Sequence, residues 1–200
     1  MNWKKATALI LAVLIVDQAV KIWIKTHFYI GETHVVTSWF RILFVENEGM
    51  AFGLKFGHDT GKLLLTLFRI IAVIGIFYAL RIAIKNKNNV LALALSLILA
   101  GALGNIIDSV FYGRIFSESF HKPAQLFPPG GGYAPFFHGK VVDMLYFPLF
   151  RFHVPSWIPY FGGHTYTFFD AIFNIADSAI TIGVLILIIF NKKAFKKQAR

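Results

Sequence analysis

The chain contains no cysteine. That excludes disulfides, thiolate metal sites and a cysteine nucleophile in one step. Charge is scarce as well: 15% of the 200 residues are charged, with 10 Asp and Glu against 20 Lys and Arg. So few charges do not coat a soluble domain of this size. Apolar residues fill the space instead. Some 56% are hydrophobic, 22 are phenylalanine, and the mean hydropathy is +0.62. The class is integral membrane protein. A net charge of +10 would suggest nucleic acid in a soluble protein. Here the cations sit in short tracts beside apolar runs, which is the pattern of membrane topology and headgroup contact. No nucleic-acid-binding signature accompanies them.

Four spans are expected, at 6–23, 62–80, 90–111 and 170–190. Each is close to the roughly 20 residues that cross about 30 Å of hydrocarbon. Met1 to Val16 has the outline of a signal peptide, but Asp17 interrupts the apolar core and no A-x-A-like site closes it. Lys4 and Lys5, then Arg81, Lys85 and Lys87, then Lys192, Lys193, Lys196, Lys197 and Arg200 fall on one side of a four-span chain. That side, with both termini, is expected to be cytoplasmic. The long loops, Lys25 to Gly61 and Tyr112 to Phe169, then face outward. Residues 35–56 are rich in β-branched and aromatic side chains and punctuated by glycines, so a small sheet at the membrane surface is expected. Pro128 to Gly132 is a breaker-rich turn. Leu145 to Phe161, aromatic and proline-rich, is expected as an interfacial helical segment. The expected fold is therefore one mostly α membrane domain with a small outer β-sheet.

One phrase occurs twice in apolar surroundings: Asn105-Ile106-Ile107-Asp108 and Asn174-Ile175-Ala176-Asp177. An amide and a carboxylate three residues apart share a helix face. A carboxylate within a span costs about 3 kcal/mol on insertion scales and marks a functional site by default. A rise of about 1.5 Å per residue, counted from the cytoplasmic ends, puts Asp17 roughly 18 Å up, Asp177 roughly 22 Å and Asp108 roughly 27 Å. Three acids on three helices at similar depth suggest one shared site.

The available chemistry is narrow. All seven histidines fall in the loops, and no H-E-x-x-H motif supports an embedded zinc protease. No G-x-S-x-G elbow is present, and the buried serines have no histidine in the same span. Carboxylates and amides remain. Two carboxylates a few ångströms apart split their pKa values, so one takes a proton from water while the other polarises a carbonyl. That is aspartic peptidase chemistry, with no cofactor and no metal. The residues alone leave the pair open: Asp177 with either Asp108 or Asp143. Asp143 precedes an apolar stretch, Met144 to Phe147, that suits the interface. Asp59 and Asp170 sit beside loops, where a capping or solvated role suffices.

In this order the motifs resemble lipoprotein signal peptidase, the signal peptidase II family of intramembrane aspartic peptidases. Asp17-Gln18 with Lys21 matches its first-helix motif. Asn47-Glu48-Gly49-Met50-Ala51-Phe52 matches the N-x-G-x-A-F segment, and Gly101 to Asp108 the third-helix motif. Val141-Val142-Asp143 matches the V-V-D motif, and Phe173-Asn174-Ile175-Ala176-Asp177-Ser178 the F-N-x-A-D-S motif. The resemblance implies removal of the signal peptide from a diacylglyceryl-modified prolipoprotein, just before the lipidated cysteine. It implies Asp143 and Asp177 as the catalytic dyad, and Asn47, Gly49, Asn105 and Asn174 as substrate-holding or orienting residues. Asp17, Lys21 and Asp108 are implied as supporting polar groups. It further implies a bacterial inner-membrane location, a site toward the outer, periplasmic leaflet, contact with membrane lipids and inhibition by globomycin-type peptides.

Two departures stand out. The family commonly has arginine directly after the third-helix aspartate, where this chain has Ser109; Arg114 is one cation that could take over its role. The stretches 114–139 and 148–169 are also longer than the family usually shows. Plainer readings exist for several residues. Asp17 and Lys21 form an i,i+4 pair. Asn105 and Asn174 suit interhelical hydrogen bonds. Arg69 suits snorkelling or pairing with an acid. The rival function is a small proton- or cation-coupled transporter, which would carry polar groups through the full membrane thickness.

Overall fold

A computed structural model describes residues 1–48 and 58–196. Helix α1 (Trp3–His27) starts where the Asn2 side chain accepts a hydrogen bond from the Lys5 backbone N–H at 3.0 Å. Strands β1 (Thr33–Val35) and β2 (Arg41–Asn47) follow. Helix α2 (His58–Lys85) turns tightly into α3 (Asn89–Ile107). In that turn Lys87 takes a φ of 53°, and the Asn88 side chain caps α3 by accepting from the Leu91 N–H at 3.1 Å. Arg81 and Lys85 thus ride on the end of α2 rather than in a loop. Asp108–Tyr112 continues α3 as a π-helical turn and leads into the single turn α4 (Gly113–Ile115). Strands β3 (Val141–Tyr146), β4 (Phe150–His153), β5 (Thr165–Phe168) and β6 (Ile172–Phe173) precede helices α5 (Ile175–Ile189) and α6 (Asn191–Ala194).

Among the described residues, three helices are long and apolar enough to cross a membrane: Trp3–His27, Gly61–Lys85 and Asn89–Ile115. The fourth apolar helix differs from expectation. It begins at Ile175 rather than Asp170, and its 15 residues rise about 22 Å. The reason is local. Phe173 and Ile172 pair with Leu145 and Tyr146 of β3, and Asn174 then caps the helix by accepting from the Asp177 N–H at 2.8 Å.

The expected small sheet is present and larger than predicted. It has antiparallel order β1-β2-β3-β6. Val45 sits opposite Asp143 and Asn47 opposite Val141, with a register shift between Ile42 and Val45. The part of the expected strand segment beyond Glu48 lies outside the described residues. The expected interfacial helix within 145–161 is absent. A separate hairpin, β4 with β5, takes its place. Phe150-Arg151-Phe152-His153 and Thr165-Tyr166-Thr167-Phe168 alternate with strand period. Phe150 stacks on Phe168 at 4.7 Å between ring centroids, and Pro155 and Pro159 interrupt the intervening turns.

Helix α3 packs against α1, α2 and α5. Leu80 and Ala83 meet Ala92, Leu95 and Leu99 between α2 and α3. Against the sheet, Ile24 and Phe28 pack with Phe44, Tyr112, Phe116, Val142 and Met144. Small residues allow the closest approaches. A Cβ on Gly101 would lie 2.2 Å from the Ala176 carbonyl oxygen, a backbone atom of α5 that cannot swing away. Gly101→Ala is therefore expected to destabilise the fold by about 1–3 kcal/mol through overpacking. A detergent-titration midpoint equal to wild type would refute this close packing.

Residues 114–139 are not a slack loop. The Gly139 N–H donates to Ser109 O at 2.8 Å and the Phe137 N–H to Val110 O at 3.1 Å, both carbonyls of the π-turn. A π-turn shifts the backbone register and leaves carbonyls free for such partners. Lys62 Nζ, from α2, donates to His138 O at 2.7 Å.

Candidate active site

Asp143 is carried by β3, and β2 runs beside it. Asn47, at the end of β2, donates from Nδ2 to Asp143 Oδ2 at 3.1 Å. Asn174 donates from Nδ2 to Asp143 Oδ1 at 2.7 Å. The same Asn174 caps α5 at Asp177, so one fully buried amide joins the two aspartates. On the other side, Asn105 Nδ2 donates to Asp177 Oδ1 at 2.8 Å. Asn105 Oδ1 accepts from Asn174 Nδ2 at 3.1 Å and from Lys21 Nζ at 2.9 Å. Four helical or strand elements thus converge on two carboxylates. Asp143 is 3% exposed, whereas Asp177 is half-buried. Burial, followed by the charge of Asp177, pushes the Asp143 carboxyl up to about 7; the Asn47 and Asn174 hydrogen bonds and the Lys21 charge act in the opposite direction.

Asp17 and Asp108 have a different environment. Lys21 Nζ lies 3.0 Å from Asp17 Oδ2 and 2.8 Å from Asp108 Oδ2, and all three side chains are essentially excluded from solvent. Gln18 Nε2 reaches Asp17 at 3.1 Å and Asp108 at 2.9 Å. The Ala176 N–H donates to Asp17 Oδ1 at 2.9 Å and the Val142 N–H to Asp108 Oδ2 at 3.3 Å. Two acids around one lysine tie α1 to α3, α5 and β3. Among the described residues the ion pairs belong to Asp17, Asp108 and Glu46, and neither Asp143 nor Asp177 joins one. Gly104 completes the cluster, since a Cβ there would stand 2.6 Å from Asp17 Oδ2.

Of the predicted site residues, Asp17, Lys21, Asn47, Asn105, Asp108, Asp143, Asn174 and Asp177 come together. Gly49 lies outside the described residues. Arg114, the suggested substitute cation, is exposed on the surface with its guanidinium 5.8 Å from the Phe136 ring.

The sequence named Gln18 within a motif without assigning it a role, and a second buried cluster went unread. Lys25, counted there as outer loop, lies within α1 and is fully buried. It pairs with Glu46, donates to Ser119 Oγ at 2.9 Å, and sits 4.9 Å from the Tyr133 ring and 5.4 Å from the Phe116 ring. Lys140 reaches Glu46 Oε2 at 3.3 Å. The spacing offered a signal: Asp17, Lys21 and Lys25 recur every fourth residue on one face of an apolar helix.

No cluster of three or more His, Asp or Glu side chains able to hold a metal occurs among the described residues. The arrangement offers two carboxylates held by three amide hydrogen bonds, one group buried and one partly exposed.

Comparison with known proteins identifies the family. Residues 9–192 match the family model described as Signal peptidase (SPase) II. The chain is 52% identical over 188 residues to a lipoprotein signal peptidase of Porphyromonas gingivalis, covering 93% of this chain and 82% of that one. A lipoprotein signal peptidase of Amoebophilus asiaticus is 38% identical over 201 residues, covering 98% and 80%. A solved bacterial membrane enzyme, determined by the in meso method at 1.9 Å resolution, superposes with a TM-score of 0.62 at 29% identity, covering 98% of this chain and 96% of that one. With its motifs in order, its acids gathered at one site and a family match along nearly its whole length, the chain belongs to the signal peptidase II family.

Proposed function

We propose that this protein is an intramembrane aspartic endopeptidase that removes the signal peptide from diacylglyceryl-modified prolipoproteins, cutting just before the lipidated cysteine. The observation that carries the reading is a pair of acids held by shared amides, neither of which joins an ion pair among the described residues. Asp143 and Asp177 are held by Asn47, Asn105 and Asn174, while the nearby lysine is occupied by Asp17 and Asp108. A pair without a cation in contact retains one proton near neutral pH. The ionised member takes a proton from a water lying between the two. That water attacks the scissile carbonyl, whose oxygen the protonated member polarises. Asn47, Asn105 and Asn174 hold the carboxylates in place. The reading also includes four spans with both termini cytoplasmic, the sheet and acid pair toward the outer leaflet, and globomycin-type peptides as inhibitors.

A transporter reading has less support, because the buried charges form two clusters that both lie against the sheet, and the described helices carry no further set toward their other ends. The test uses purified protein in lipid with a diacylated lipobox precursor, followed by gel shift and product mass. Cleavage before the modified cysteine is expected. Normal cleavage by Asp143→Asn together with loss in Asp108→Asn would overturn the dyad and favour Asp108 with Asp177.

The rate should follow a bell-shaped pH profile. Asp143 holds its proton until about pH 7, so if it is the acid the rate falls as pH rises through that value. The acid limb belongs to the pair as a whole, which must keep one ionised member to take a proton from water. A kcat/KM profile flat from pH 5 to 9 would contradict an acid pair.

A further inference from the structure

A cation on α2 approaches this acid pair, and nothing in the mechanism above uses it. Arg69 is half-buried within an apolar helix. Its Nη1 comes to 3.5 Å from Ser109 Oγ on the π-turn of α3. Ser109, itself 3% exposed, donates to the Asn105 carbonyl at 2.8 Å, and Asn105 is the amide that holds Asp177. A snorkelling arginine carries its charge out toward water. This one turns inward against α3. The acids whose fields reach the guanidinium are Asp177, Asp143 and Asp108. Asp108 already has Lys21 at 2.8 Å, so the acids left for Arg69 to act on are Asp143 and Asp177. The serine matters to this geometry. A small hydroxyl at position 109 leaves room for a long side chain arriving from the neighbouring helix.

We propose that Arg69 is a positioning residue that keeps the Asp143–Asp177 pair singly ionised, supplying from α2 the positive charge that faces the reacting carboxylates. This rests on the dyad reading given above. Among the described residues, the charged groups around the pair enter the balance as follows. Helix α1 brings Asp17 and Lys21, and α3 brings Asp108, which together form a closed cluster. Strand β2 brings Glu46, which is paired with Lys25 and with Lys140 ahead of β3. Helix α5 brings Asp177 itself. Helix α2 brings two cations to this side of the bundle: Lys62, whose Nζ donates to the His138 carbonyl at 2.7 Å, and Arg69, whose guanidinium faces Ser109. A nearby positive charge favours the ionised form of a carboxylate. Its removal therefore raises both apparent pKa values of the pair.

The test is the pH dependence of kcat/KM for cleavage of the diacylated lipobox precursor by full-length protein in lipid. In Arg69→Gln both limbs of the profile are expected to move to higher pH by about one unit. In Arg69→Lys, which keeps a charge on the same helix face, the limbs should stay close to wild type. A purely structural arginine would lower the rate uniformly and leave the limbs in place. Unmoved limbs in Arg69→Gln overturn the proposal, as do equal shifts in the Gln and Lys variants. Asp143→Asn and Asp177→Asn are run alongside. If they still cleave, the dyad reading fails; if they are inactive while the Arg69→Gln limbs stay fixed, only the role of Arg69 fails.

Discussion

Replacing Asp143 or Asp177 by asparagine is expected to lower cleavage of a lipidated precursor by at least about 10³-fold while the protein remains folded in the membrane. Asparagine keeps the volume and can still accept a hydrogen bond, so the amide frame of Asn47, Asn105 and Asn174 has little reason to collapse. What is lost is the group that takes or gives a proton. Neither aspartate neutralises a lysine among the described residues, and Arg69 is only half-buried, so removal of one carboxylate strands no fully buried cation. Loss of activity with an unchanged unfolding midpoint is the expected combination. Activity within about 10-fold of wild type in either variant would mean that the reacting proton is handled elsewhere.

Lys21→Met is expected to have the opposite signature, a loss of about 3–5 kcal/mol in stability. Lys21 is fully buried and stands 3.0 Å from Asp17 and 2.8 Å from Asp108. Methionine matches its length but leaves two acids without a cation in a site closed to water. Breaking a buried pair from one side is far costlier than deleting the whole set. The triple variant Asp17→Asn, Lys21→Met, Asp108→Asn should therefore recover much of the lost stability. Equal midpoints for Lys21→Met and wild type in a detergent titration would show that the cluster does not brace the bundle.

How much of this was legible depends on the range of the forces involved. Hydropathy and helix period are local properties, so α1, α2 and α3 were readable as spans from their own residues. The fourth helix was misplaced by five residues because its start is set by a long-range strand pairing, Phe173 against Leu145, and by the Asn174 cap that follows. The helix expected near the interface failed for a related reason. Aromatic content suggested interfacial placement, yet the alternation in 150–153 and 165–168 was the stronger clue, and it requires a partner strand far along the chain. Lys25 was misread as a loop residue because a charge at the end of an apolar run looks solvated until its Glu46 partner is found on another element.

By itself the sequence determined the membrane class, the apolar helices, the absence of cysteine chemistry and most of the polar residues that gather around Asp143 and Asp177. Tertiary structure alone decided how those residues are divided. One lysine serves Asp17 and Asp108, while Asp143 arrives on a strand and meets Asp177 through Asn174. The physical reason is distance. Composition and spacing show that an acid is buried, but whether it is neutralised depends on which cation comes within about 4 Å, and helix packing sets that.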